Sequence, residues 1–563
     1  MTSGNFGGRI LPLFIFIFIT SLLLVSCEDS GSSQSSQVPT DPPPTEVVTA
    51  PPTAFTPTNV LTAHNDMQRT GQNLTETTLT LANVNLTSFG KLLTVPMDGR
   101  VDAQPLYVSQ LKIGGSTAHP VVYAVTEHDS VYAFDAATGT VYWQVSLLGS
   151  GETPSDDHGC GDITPEVGIM ATPVIDLTAG PNGTIYLLSL SKDVDGAYHH
   201  RLHALDLITG AEEFSGPTEI TATYAGTGST SLDGQITFDP GQYMSRPGLL
   251  LLNGTIYTGW GSHCDMLPYT GWLIGYDQKT LQQTSVFNFA PNGGDGALWN
   301  SGGGLAADPS TGRIFVSVGN GTFDEDLNTS QFPAHGDFGN AFVRLNPSAG
   351  KITAEDYWTM DNSNAESASD IDLGSGGVML LPNVTNAAGQ VVQLGTSAGK
   401  DSFLYVFNRQ NMGKFNTLEN SNIYQNIGGA LHGGVFGTPA YFNGTVYYGA
   451  AGDSIRAFPI SNATLATTAS SITATIFGWP GATPSISANG GSQGIVWAVE
   501  NTNPAILHAY NATTLGVELY NSLLAANGRD QLGASVKFVV PTVADGRVIV
   551  GTRDSVSVFG LLK

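Results

Sequence analysis

Positive charge is what this sequence has least of. Only 21 of its 563 residues are Lys or Arg, against 47 Asp or Glu, so the formal net charge is −26. Such a surface repels phosphate backbones and excludes nucleic acid as a partner; it suits solubility, cation binding or a basic partner. Cysteine is almost missing: Cys27, Cys160 and Cys264 are the whole set. They form no CxxC pair, which argues against a structural zinc site. There is no CxxCH either, so any redox chemistry would need a separate electron carrier. Charged residues of both signs make up only 12% of the chain, and no long stretch has helical periodicity, which argues against a helical bundle. The longest apolar run, Ile10 to Val25, is shorter than the about 20 residues of a membrane-spanning helix.

What is present is glycine, 68 residues of it, with short apolar runs rich in Val, Thr and Tyr that end in turn residues. That pattern favours strands. The amino-terminal run follows Arg9 and ends in Leu24-Val25-Ser26-Cys27. It looks like a lipoprotein signal whose cysteine is acylated; a plain signal peptide or an uncleaved anchor is the alternative. Residues 28–59 are Ser, Pro and Thr with almost no large apolar side chain, a composition that makes a disordered tether. The expected layout is a signal over 1–27, a tether over 28–59 and one folded domain over 60–563. Export and lipid anchoring to the cell envelope, in periplasm or at the surface, follow from the signal.

Within the domain one unit recurs. It opens on a small-residue or Pro-containing segment such as AQPLYV from Ala103 or ATPVID from Ala171. A tight turn and a second strand follow, as in NGTIYLL from Asn182, NGTIYTG from Asn253 and NGTVYYG from Asn443. Asn-Gly accepts the positive φ that a two-residue hairpin turn requires. A third strand begins at Asp: DSVYAFD from Asp129, DSFLYVF from Asp401, DSIRAF from Asp453 and DSVSVF from Asp554. The fourth ends in an aromatic residue such as Trp143, Phe214, Phe287 or Trp358. Four antiparallel strands per unit make a propeller blade. Unit starts near Ala103, Ala171, Arg246, Gly302, Ser375, Phe436, Gly490 and Val539 predict eight blades. The last unit lacks an outer strand, which FGKLLTVP (Phe89 to Pro96) can supply to close the ring. Seven blades and a separate hairpin is the alternative.

The segments AFDAATGTVYW from Ala133 and ALDLITGAEEF from Ala204 resemble the tryptophan-docking motif of the eight-bladed quinoprotein alcohol dehydrogenases. HNDMQRTGQN from His64 resembles the lead-in segment of that superfamily. The resemblance covers most of the chain from His64 to Leu562. It implies an all-β, eight-bladed propeller. The motif marks the fold rather than the activity, because outer-membrane assembly lipoproteins carry similar repeats without enzyme chemistry. Three further matches imply a site for pyrroloquinoline quinone and calcium. VSVGNG places Asn320 as a calcium ligand, SDIDLGSGGV places Asp372 as the catalytic base with Asp370 beside it, and AGKDSFLYVFNRQNMG places Lys400 on the quinone. Each role suits the residue: calcium takes hard oxygens, a carboxylate takes the alcohol proton, and a lysine stabilises negative charge on the quinone. The chain also departs from the pattern. The adjacent cysteine pair that covers the cofactor is absent, and where a calcium-binding Glu is expected KDVDGAYHHR offers only Asp195.

Loops on one face of such a propeller bring together Asp156, Asp157, His158, Cys160, Asp162 and Glu166, and also Glu127 to Asp129, His263 to Asp265, Asp324 to Asp326, and His432. Converging polar loops on a rigid scaffold are where binding sites form, and the long 147–170 connection is the best candidate among them. The repeated Asp129, Asp401, Asp453 and Asp554 read as residues that hydrogen-bond their own turns. Cys160 and Cys264 lie in two of the converging loops and are either a disulfide or two free thiols. His199 and His203 share a strand face and read as a metal pair or a solvated edge. Gly395 to Gly399 matches GxSxG, but a strand follows where a hydrolase needs a helix, so hydrolase chemistry is rejected. Two functions stand: an envelope-anchored binding or scaffold module that docks a protein, glycan or small ligand on its loop-rich face, or a pyrroloquinoline quinone and calcium-dependent dehydrogenase of an alcohol or sugar.

Overall fold

The structure is a computed structural model that describes residues 57–563 apart from 301 and 349. The signal, the lipidation candidate Cys27 and most of the tether lie outside the described residues. The end of the predicted tether is held in place: Thr58 N donates to Asp545 Oδ1 at 3.0 Å and Ser109 N donates to Asn59 Oδ1 at 2.8 Å.

Residues 54–563 group as one compact unit built almost wholly of antiparallel strands. The first sheet runs Leu106–Leu111, His119–Val125, Ser130–Asp135, Val141–Ser146. Seven more sheets of at least four strands follow in chain order, and two short hairpin sheets are inserted at Thr223–Thr237 and Val384–Val392. In the last large sheet Phe89–Pro96 pairs antiparallel with Ser555–Leu561, joining the start of the domain to its end. The seventh begins at Ser485–Asn489, ahead of the expected Gly490. Its opening strand is Ser-Ile-Ser-Ala-Asn, too polar to stand out, yet Ser485 and Ser487 are buried.

The core is not one mass. Eight apolar clusters each bridge two neighbouring sheets, and one of them joins the last sheet to the first through Val95, Val122, Phe134, Ile549 and Val558. The docking motifs work between sheets. Asp135 Oδ1 accepts from Ala137 N at 2.7 Å and Thr138 N at 3.0 Å, which shapes the turn, and Trp143 Nε1 donates to Leu207 O of the next sheet at 3.1 Å. Gly210, at φ +67°, lies against the Trp143 ring; a Cβ there would come within 2.8 Å of it.

Residues 60–73 touch nearly every sheet in turn. Val60 bonds Tyr107, and the carbonyls of Leu61, Met67, Gln68, Thr70 and Gly71 accept from Ile175, Ala307, Leu380, Tyr441 and Ile486. Arg69 is fully buried and donates to carbonyls of Ala63, Leu249 and Leu305. The inner strand of each sheet has one unpaired edge, and this segment satisfies part of each.

Candidate functional site

A cavity of about 370 Å³ is walled by segments from all around the molecule. Its floor is acidic. Asp372 precedes the short turn Leu373–Ser375 and is 1% exposed. Glycines make room for this turn: a Cβ on Gly374 would lie 2.3 Å from Gly319 N, and one on Gly399 would lie 2.6 Å from Asp372 O. Lys400 N donates to Asp372 O at 3.0 Å, so the lysine backbone is tied to that of the acid.

Lys400 Nζ lies 2.6 Å from Asp370 Oδ1 and 2.8 Å from Asp372 Oδ1. The Lys400 ammonium is the partner of Asp372 Oδ1, while Asp372 Oδ2 is buried without a donor. Asn320 Nδ2 donates to Asp370 Oδ1 at 2.7 Å, while Asn320 Oδ1 is buried with no partner. Burial pushes the Asp372 carboxyl up to about 6; Lys400 pulls it down, and Asp265 and Asp370 add to the rise. Burial alone would lower Lys400, but Asp372 and Asp370 outweigh it and hold the ammonium above its usual value. Asp265, on the cavity wall, is raised by burial and accepts from Tyr269 Oη at 2.6 Å. Asp295, next to it electrostatically, is pushed up to about 6, again by burial first. Such a group of acids short of donors is built to meet a cation or a proton.

The opposite side is aromatic and basic. Arg246 lies 5.7 Å from the Trp299 ring centroid and 5.3 Å from that of Phe538, and it pairs with Asp162 at 3.2 Å. Lys537 Nζ pairs with Asp162 at 2.6 Å and sits 4.4 Å from the Trp479 centroid. Asp162 belongs to the long 147–170 connection. That connection is fastened over the cavity by these two ion pairs and by a disulfide from Cys160 to Cys264, whose Cα atoms are 5.7 Å apart.

The structure therefore brings Asp372 and Lys400 into one cavity, with Asn320 one hydrogen bond behind its wall. It joins Cys160 to Cys264, of which the sequence left both states open. It does not bring Asp195, which is exposed in the turn between Thr184–Lys192 and Tyr198–Asp206 and does not line the cavity. The turn is a plain hairpin tip: Asp195 N donates to Asp193 Oδ1 at 2.9 Å. Asp129 does not serve its own turn either. It is buried and accepts from Leu190 N across to the second sheet at 3.2 Å. His199 and His203 pair with Glu219 and Glu212, not with a shared metal position. Ser397 is buried in a strand and donates to Gly377 O at 3.1 Å, no nucleophile. From the sequence Trp260 and Trp299 are the residues that could fill the cavity; Trp299 lines its wall and Trp260 does not, and the cavity stays open. Arg246 and Phe538 were not foreseen as site residues, because isolated aromatic and basic residues in inter-sheet linkers carry no local signal.

No family profile and no curated protein matches the sequence. Solved structures do. A quinohemoprotein alcohol dehydrogenase from Comamonas testosteroni superposes with a TM-score of 0.60 at 16% identity, over 90% of this chain and 81% of that one. The fold is that of the quinoprotein alcohol dehydrogenases. A second quinohemoprotein alcohol dehydrogenase, from Pseudomonas putida HK5, gives 0.57 at 16% identity over 89% and 80% of the two chains. A europium-containing methanol dehydrogenase gives 0.56 at 13% identity over 90% and 98%. At such identities the likeness speaks for the quinoprotein β-propeller and leaves the chemistry to the cavity.

Proposed function

We propose that this protein is a quinone-dependent dehydrogenase that oxidises an alcohol in this cavity. The observation that carries the reading is the floor: Asp372 and Lys400 pair in the cavity with Asn320 one hydrogen bond behind its wall, and Asp372 Oδ2 and Asn320 Oδ1 are buried without donors. Unmet buried acceptors cost about 1–3 kcal/mol each, so a group that meets them is expected. Asn320 Oδ1 and the Asp372 carboxylate are hard oxygens of the kind calcium takes, and Asp265 on the wall supplies the acid that Asp195 does not. Arg246 and Lys400, the cations of the cavity lining, and Trp299 on its wall are the residues that would hold a flat, anionic quinone such as pyrroloquinoline quinone. The disulfide offers a cover where the adjacent cysteine pair of the resemblance is missing.

When bound, such a quinone accepts two electrons and the α-hydrogen of the alcohol, with calcium drawing charge onto its oxygen. The chain's part is proton handling and placement. Asp372, ionised above about pH 6, takes the hydroxyl proton of the alcohol. Lys400 keeps the carboxylate oriented and offsets negative charge on the floor. The Cys160–Cys264 disulfide holds the 147–170 connection beside the cavity.

The eight large sheets and the eight cores between neighbours support a ring of eight blades closed by Phe89–Pro96. The Cys27 signal supports an envelope lipoprotein, which metabolic labelling with a fatty acid would test against a Cys27→Ser variant. The test of the function is calorimetry of pyrroloquinoline quinone binding with and without calcium, followed by turnover of alcohols with an artificial electron acceptor. Saturable, calcium-dependent binding supports the dehydrogenase. No binding in either condition overturns it and leaves the docking module.

A further inference from the structure

Outside the cavity floor, the carboxylate oxygens buried without a partner among the described residues are Glu127 Oε1, Asp129 Oδ2 and Glu366 Oε2. Glu366 is only partly buried. Glu127 and Asp129 are fully enclosed, each 0% exposed, and stand two residues apart in the turn between His119–Val125 and Ser130–Asp135. Each carboxylate uses one oxygen and leaves the other unmet. Glu127 Oε2 accepts from Gly168 N at 2.7 Å, and Asp129 Oδ1 accepts from Leu190 N at 3.2 Å. A carboxylate pinned in this way with a free oxygen inside the protein lacks a positive partner.

The nearby cations are bonded elsewhere. His128, between the two acids, meets Glu166 at 3.1 Å. Arg100 gives two nitrogens to Asp102 at 3.0 Å, and Arg246 pairs with Asp162 at 3.2 Å. Burial pushes Glu127 up to about 8, with Asp102 adding to the rise and Arg100 and Arg246 opposing it. Burial also pushes Asp129 well above its ordinary value, and Glu127, Glu166 and Glu152 add to that. The same turn has a mechanical role. Leu147 N donates to Asp129 O at 2.8 Å and Ile169 N to Thr126 O at 3.2 Å, while Gly168 N holds the Glu127 carboxylate. Both ends of the 147–170 connection are therefore fastened to it. Gly168 packs directly on the turn, since a Cβ there would lie 2.4 Å from Glu127 O.

We infer that Glu127 and Asp129 are the carboxylate ligands of a divalent cation of the calcium class, separate from any ion of the cavity floor, which fixes both ends of the 147–170 connection. Calcium takes hard oxygens, and backbone carbonyls of the turn and water complete such a shell. The ion supplies the positive charge that the two enclosed oxygens lack. The inference does not rest on the dehydrogenase reading, and its test uses no quinone. The full chain carrying Asn320→Ala with Asp372→Asn, which weakens the floor as a calcium site, is stripped with a chelator and titrated with calcium chloride by calorimetry. Calcium binds at one per chain, raises Tm and slows cleavage after Glu166 by a glutamyl endopeptidase. Adding Glu127→Gln or Asp129→Asn weakens this binding at least about tenfold and removes both effects. In the otherwise wild-type chain, either substitution lowers the calcium stoichiometry by one.

No calcium uptake by the floor-weakened chain overturns the inference, and Glu127 and Asp129 are then protonated structural acids. Uptake that Glu127→Gln and Asp129→Asn leave intact also overturns it, because the ion then lies elsewhere. Uptake that depends on both acids yet leaves cleavage after Glu166 unchanged overturns the role given to the 147–170 connection. Calcium uptake at this turn in a chain that binds no quinone upholds the inference and sinks only the dehydrogenase reading.

Discussion

Two buried polar clusters lie in this domain, and they are built to opposite rules. In the lead-in segment, His64 and Arg69 are fully enclosed, and Arg69 has its polar atoms met by the protein. The ring nitrogens of His64 lie 2.7 Å from Arg69 O and 3.0 Å from Pro484 O, and the one that carries the proton donates to its carbonyl. Arg69 Nε reaches Leu305 O at 2.9 Å, and its other nitrogens reach Thr62, Ala63 and Leu249. Burial lowers His64 below its ordinary value and Arg69 to about 10, so the protein bears a desolvation cost here and compensates it with carbonyls. On the cavity floor, Asp372 and Asn320 are buried too, yet Asp372 Oδ2 and Asn320 Oδ1 lack donors and only Lys400 meets Asp372 Oδ1. Satisfied polar burial holds a fold together; unsatisfied polar burial beside a cavity waits for a ligand.

The sharpest way to break this comparison is to exchange the consequences. Asp372→Asn should lower turnover at least about 10³-fold, within the range for a general base, while leaving thermal stability at neutral pH equal or higher, because it removes a buried charge. Arg69→Ala should do the reverse in kind. It should cost about 3–5 kcal/mol in denaturant unfolding, as breaking a buried, fully bonded charge does. If the Arg69 variant keeps full stability, the lead-in segment is not the clasp proposed.

Reducing the strap comes next. Cys160 and Cys264 are 104 residues apart in sequence, so Cys160→Ser with Cys264→Ser should cost about 4.7 kcal/mol by the loop-entropy account. Quinone affinity, followed by calorimetry, should weaken as well. Unchanged affinity would remove the 147–170 connection from the site.

The pH profile sharpens the floor itself. Folded Asp372 holds its proton to about pH 6, against about 4 for a free carboxylate. Folding therefore binds a proton in that window, and stability should fall as pH rises from about 4 to about 6, by on the order of 2–3 kcal/mol. Turnover should move the other way, rising through about pH 6 as the base ionises. Asp372→Asn should flatten much of the stability slope, and a slope that persists in full would assign it to Asp265 and Asp295. The smallest effects concern calcium. Asn320→Ala should weaken calcium-dependent quinone binding about tenfold, whereas Asp195→Asn should leave it unchanged, as befits an exposed hairpin tip.

Some of this was readable in the residues themselves. Asn-Gly turns, Asp-led third strands and terminal aromatics repeat along the chain because each sheet needs the same turn geometry and the same plug between neighbours, so the β-repeat and the outer strand Phe89–Pro96 could be placed from local pattern. Lys400 and Asp372 could be found because SDIDLGSGGV and AGKDSFLYVFNRQNMG resemble segments of the quinoprotein dehydrogenases. The start of the seventh sheet could not, since Ser485 and Ser487 are buried by the sheet around them and not by their own hydrophobicity.

Trp299, Trp479 and Phe538 belong to linkers without repeat character, Arg246 opens a repeat unit, and only the arrangement of the sheets brings them to one cavity. The same holds for the cysteine pair. Sequence determines local turn, strand and face, because these depend on neighbours along the chain. Which linkers meet, which acids lose their water and which aromatic ring stays exposed depend on residues hundreds of positions apart, and those were decided by the packing of sheet against sheet.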